Sequence, residues 1–160
     1  MDNKKIIIIG AIILIILGVL IVTLANIGYE RIEITPNGTS MDIPTTHKYQ
    51  GEMQGVKLWN WNTGALVTYN NQTANNSIKL VGLAFNSITE LVKTNNSENI
   101  DGFTIYTLDG DKLLDAFKIN ANGKFYCIYL TNETTHDNII ICCNNKDVTL
   151  HMAKSVEYKN

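Results

Sequence analysis

Cys127, Cys142 and Cys143 are the residues of this chain with the widest chemical reach: a thiol can bridge, ligate a metal or act as a nucleophile. They sit on two apolar runs, "GKFYCIYL" and "NIIICC", joined by the polar "TNETTHD". Folded as one hairpin with like faces aligned, Cys127 falls across from Cys143, and opposed side chains lie about 4.5–5.5 Å apart. That register makes Cys127–Cys143 the candidate disulfide and leaves Cys142 on the opposite face. Three small buried free thiols are the first expectation, the bridge is the second, and a thiol-dependent redox protein or enzyme is a further reading.

Other catalytic and metal chemistry is thin. Cys127 with His136 or His151 could form a nucleophile–base pair, but nothing in the spacing brings them together. A metal could recruit His136, Asp137, Cys142 and Cys143, yet consecutive strand residues point to opposite faces, so Cys142 and Cys143 do not aim at one ion. Asp109-Gly110-Asp111 lacks the rest of a calcium loop and reads as a helix cap. No catalytic residue, metal or cofactor is assigned, and a non-enzymatic protein is expected.

Binding chemistry is concentrated in "LWNWN". On a strand Trp59 and Trp61 share one face while Asn60 and Asn62 share the other, an arrangement in which rings stack on sugars and amides meet hydroxyls. A carbohydrate- or cell-envelope-binding site follows from these four residues if they are exposed. Two tryptophans in a small domain otherwise build its core. Five asparagines open N-x-S/T acceptors for N-glycosylation: Asn37, Asn71, Asn75, Asn95 and Asn132. Each falls in an expected loop.

The elements that would position these groups read as follows. "ERIEITPNGTSMDIP" is a strand, a Pro36-Asn37-Gly38 turn and a short extended piece. "HKYQGEMQG" is polar and reads as loop. "VKLWNWNTGALVTYNN" is a hairpin about Asn62-Thr63-Gly64. "SIKLVGLAF" reads as a strand, and Ser87 to Glu90 form a capping box starting a helix near Ile88. "TNNSENIDG" reads as loop, "FTIYTL" as a strand, and Asp109 to Asp111 cap a short helix through Phe117. Asp147 caps a final helix that buries Val148, Met152 and Val156. The sum is α+β: a mostly antiparallel sheet of five to seven strands, with two or three helices packed on one face.

Ahead of this domain stands "KKIIIIGAIILIILGVLIVTLANIG". About twenty apolar residues as a helix cross the roughly 30 Å hydrocarbon layer. Lys4 and Lys5 precede the run, which predicts an N-terminus inside and the remainder outside. The expected organisation is a cytoplasmic stub over residues 1–5, a transmembrane anchor over 6–27 in contact with the bilayer, and one extracytoplasmic domain over 28–160. Whole-chain charge is near balance, 13 basic against 15 acidic residues, which argues against a nucleic-acid partner.

The segments "GKFYCIYLTNETTHDNIIICC" and "HMAKSVEYKN", with the anchor before them, resemble small single-anchor extracytoplasmic proteins of methanogenic archaea. The resemblance implies an exterior, anaerobic setting and no activity. The reading is therefore a single-pass membrane protein presenting a binding or interaction domain to an unknown protein or envelope glycan.

Overall fold

Turn chemistry decides which strands become neighbours. Asp101 and Gly102 take φ of 52° and 84°, the left-handed pair that a tight two-residue hairpin requires. Asn62-Thr63 makes a second two-residue link, and Glu133 to His136 a four-residue one. The computed structural model describes residues 27–53, 55–70, 89–90, 92–93, 96–109 and 123–159. Among them are nine strands and one helix: β1 (Tyr29–Glu33), β2 (Ser40–Pro44), β3 (Lys48–Met53), β4 (Val56–Trp61), β5 (Gly64–Asn70), β6 (Asn96–Ile100), β7 (Phe103–Asp109), β8 (Lys124–Asn132), β9 (Asp137–Cys143) and α1 (Lys146–Lys154).

β3 to β9 form a seven-stranded sheet in the order β3-β4-β5-β9-β8-β7-β6, and β1 and β2 form a separate pair. Each neighbouring pair is antiparallel. Two meanders thus meet at the centre, where Leu66 opposes Ile141 and Thr68 opposes Ile139. On one face Trp59, Trp61, Leu66, Ile105, Ile128, Ile139 and Ile141 pack against Ile34, Met41 and Ile43 of the β1–β2 hairpin and Val148, Met152 and Ala153 of α1. The opposite face, with Leu58, Val67, Phe125 and Ile140, is buried as well. A strand covered on both sides needs apolar residues at successive positions. This is why "NIIICC" is a continuous run, and every residue of β9 is buried.

α1 is amphipathic as expected, but its N-cap is Asn145 rather than Asp147. The Asn145 Oδ1 accepts from the backbone N–H groups of Asp147 at 2.9 Å and Val148 at 3.2 Å. Asp147 instead lies in the first turn, where its charge favours the helix dipole.

The α+β expectation with two or three helices is corrected. The described residues form antiparallel sheets with α1 as their one defined helix. Residues 89–90 and 92–93 are helical, with Val92 buried, but no further helical element is defined there. The helix expected through Phe117 and the strand expected at residues 78–85 lie outside the described residues. Two segments read as loop are strands: β3 and β6 are the two edges of the large sheet. Much of the face assigned to helices is covered by the β1–β2 hairpin.

The membrane-anchored, single-pass description is corrected too. No helix among the described residues is long and apolar enough to cross a membrane. Residues 6–26 of the expected span lie outside the described residues. Ile27, its last residue, is half-buried against the core of the domain instead of facing lipid.

Candidate functional site

The Thr35-Pro36-Asn37-Gly38 turn starts the site. Gly38 N–H donates to Thr35 O at 3.2 Å, and Ile34 N–H to Thr39 O at 2.8 Å, closing the β1–β2 hairpin. Gly38 has φ of 83°, and a Cβ there would stand 2.7 Å from Cδ of Lys159. Glycine thus satisfies the turn and lets the Lys159 stem lie across it. After α1 the chain returns to β2: Ser40 and Glu157 exchange backbone hydrogen bonds of 3.0 and 2.8 Å.

Between hairpin and tail lies an open groove of about 400 Å³, lined by residues that include Arg31, Glu33, Ser40, Glu157, Tyr158 and Lys159. Arg31 is held in its wall. Its Nη1 meets Asp42 Oδ1 at 2.8 Å and its Nη2 meets Glu157 Oε2 at 2.7 Å. The same Nη2 donates to Ser155 O at 3.1 Å. Glu33 and Lys159 have no ion-pair partner among the described residues. Tyr158 packs its ring on the core, and burial, then the nearby Asp137 and Tyr129, raise its phenol pKa. β2 stands between β1 and the tail, so among the described residues the unpaired edge of β1 lies on the side away from Glu157.

Beneath the hairpin, a fully buried Asp137 fixes the site to the sheet. Its Oδ2 accepts from Thr35 Oγ1 at 3.1 Å and Thr39 Oγ1 at 2.5 Å, and its Oδ1 from Asn70 Nδ2 at 2.6 Å. Asn37 and Asn70 both donate to Thr135 O, at 2.9 and 2.8 Å. A buried carboxyl is tolerable when its lone pairs are met in this way. The network ties the hairpin tip to the ends of β5 and β9.

The cysteines differ from expectation by one residue. Cys127 bridges Cys142 across β8 and β9, with Cα atoms 4.2 Å apart, and Cys143 is the free, buried thiol. The sequence-based alignment placed Cys127 opposite Cys143. The four-residue turn sets the register one position away, and a shift of one exchanges the faces of a whole strand. Burial raises the Cys143 pKa, opposed by its hydrogen bonds with Thr63, to whose Oγ1 the sulfur donates, and with the Asn145 backbone N–H, from which it accepts. The buried Trp61 Nε1 nearby has no hydrogen-bond partner among the described residues.

This thiol makes stability fall at alkaline pH. Its folded pKa is raised, so its contribution is complete below the unfolded value of ~8.5 and is lost as pH rises through the folded value. Tyr29, Tyr69 and Tyr158 are shifted upward too and act with the same sign from their own, higher range. Urea midpoints measured across the alkaline range should decline, and Cys143→Ala should lessen the decline at its onset.

The other sequence candidates are dispersed. Trp59 and Trp61 are 6% and 4% exposed, so neither ring is open to a sugar. Asn60 accepts from Gln50 Nε2 at 2.9 Å on the far side of β4, and Asn62 is an exposed turn residue. His136 stands in the β8–β9 turn with φ of 58°. His151 stacks on Tyr29 with ring centroids 3.9 Å apart. Neither histidine has a free Cys127 thiol to serve, since that sulfur is bridged. No three His, Cys, Asp or Glu side chains gather as metal ligands among the described residues. Asn71, Asn75 and Asn95 lie outside the described residues.

The groove residues were missed because each is ordinary on its own. The one available signal was the pair of threonines flanking Pro-Asn-Gly, which indicated a polar anchor beneath the turn. Compared with protein-family models, curated proteins and solved structures, the chain matches none.

Proposed function

We propose that the domain is a non-enzymatic binding module that takes an extended, charged segment of a protein partner in the groove between the β1–β2 hairpin and the C-terminal tail. The observation that carries this reading is the groove itself, lined by both charge signs. Charged groups on the two walls select and orient a segment of complementary charge. Glu33 and Lys159, unpaired among the described residues, are the charges that would meet a partner, while Arg31 is committed to Asp42 and Glu157. A protein segment fits better than an envelope glycan because both tryptophans are in the core, leaving no indole platform.

Photo-crosslinking in the native host tests this. A photoreactive amino acid at position 159 should give one discrete adduct that weakens with added salt, as exposed charge pairing does. The same probe at position 52, on the far edge strand, should not give that adduct. Identical adducts from both positions, or none from position 159, would remove the reading. With the probe kept at position 159, Glu33→Lys should greatly weaken the adduct in a protein that still unfolds at the same urea concentration.

A further inference from the structure

Two of the chain's N-x-S/T acceptors lie wholly among the described residues, and the fold treats them oppositely. At Asn37-Gly38-Thr39 the asparagine Nδ2 donates to Thr135 O at 2.9 Å. Its threonine is fully buried, with Oγ1 donating to Asp137 at 2.5 Å. Both groups of that acceptor are therefore used by the fold. At Asn132-Glu133-Thr134 the arrangement is reversed. Asn132, half-buried at the end of β8, accepts at Oδ1 from the backbone N–H groups of Thr134 at 2.9 Å and Thr135 at 3.0 Å, which leaves its amide nitrogen uncommitted to that turn. That Nδ2 has no hydrogen-bond partner among the described residues and is not a buried, unsatisfied atom. Glu133 and Thr134 are exposed at the tip of the β8–β9 hairpin.

We propose that Asn132 is an N-glycosylation acceptor of the folded domain and that Asn37 is not. The donor class is an oligosaccharide carried on a polyprenyl phosphate or pyrophosphate. Asn132 Nδ2 forms a bond to the anomeric carbon, the bond from that carbon to the phosphate oxygen breaks, and the lipid phosphate leaves with the electron pair. The amide nitrogen gives up one proton to a carboxylate of the transferase. The Asn132 Oδ1 hydrogen bonds hold the side chain in position, and the exposed Thr134 hydroxyl is free for the enzyme to recognise. The Cys127–Cys142 bridge is consistent with a disulfide-forming compartment, the setting in which such transfer takes place.

Trypsin separates the two sites cleanly. Cleavage after Arg31 and Lys48 yields one peptide whose sole acceptor is Asn37, and cleavage after Lys124 and Lys146 yields one whose sole acceptor is Asn132. In full-length protein isolated from its native host, reduced and digested, mass spectrometry should find a glycan on the second peptide and the bare mass for the first. Thr134→Ala should return the second peptide to its bare mass, whereas Thr134→Ser retains the glycan. Because Thr134 is exposed, neither change disturbs the core. A bare second peptide in the native protein, or a glycan on the peptide containing Asn37, overturns the proposal.

Discussion

Asp137→Ala should lower the unfolding free energy by roughly 3–5 kcal/mol, read as a large drop in urea midpoint with an unchanged slope. The carboxyl is fully buried and receives hydrogen bonds from Thr35, Thr39 and Asn70. Alanine leaves the two hydroxyls without this acceptor, and Asn70 loses one hydrogen bond while retaining that to Thr135 O. Each orphaned buried donor costs about 1–3 kcal/mol, and the sum is reduced because the hairpin tip can relax. Asp137→Asn should cost less, roughly 1–3 kcal/mol, because it keeps the shape and one acceptor while setting one donor against another. An alanine variant no weaker than a surface substitution would mean that the hairpin is not held by this carboxyl. The groove would then lose the support described for it.

Gly64→Ala should cost about 3 kcal/mol by overpacking, a large effect for one methyl group. An added Cβ would stand 2.5 Å from Cys142 O, 2.8 Å from Trp61 Cζ2 and 2.9 Å from Cys143 Cα. Two of those three atoms are backbone of the central strand β9, so no rotamer change relieves the overlap. β5 and β9 must separate at that end, and the Trp61 ring must shift with them. Gly102→Ala offers the contrast. Nothing lies within 4 Å of a Cβ there, so its cost comes only from the positive φ of 84°. That cost should be about 1–2 kcal/mol. Thermal or urea unfolding of the two variants side by side measures the difference.

The elements readable in the sequence are those whose side chains face a core. The β4–β5 hairpin was legible because two apolar runs, one with Trp59 and Trp61 about Asn60 and one through Ala65-Leu66-Val67, flank Asn62-Thr63-Gly64. β8, β9 and α1 were legible from apolar runs and from Val148 and Met152 one helical turn apart. β3 and β6 were not, because an edge strand pairs through its backbone and can be polar along its length. β6, "NSENI", is exposed except at Ile100. The turn after it was visible as Asp101-Gly102, a hairpin signal that the absence of apolar alternation concealed. Long-range placement was the least legible. Asp137 gains its meaning only from Thr35, Thr39 and Asn70, which are distant in the chain. The helix-rich expectation failed for a related reason, since the β1–β2 hairpin covers sheet surface that periodicity alone assigned to helices.

The account turns most directly on the pairing of β8 with β9, because that register joins the two meanders and puts Asp137 under the hairpin. Its measurable consequence is which sulfur is left over. Unfolding the oxidised protein, blocking the free thiol with one alkylating reagent, then reducing and labelling with a second, marks each cysteine by history. Tandem mass spectrometry should place the first label on Cys143 and the second on Cys127 and Cys142. The first label on Cys142, with Cys127 and Cys143 carrying the second, would shift β9 by one residue and contradict the fold described.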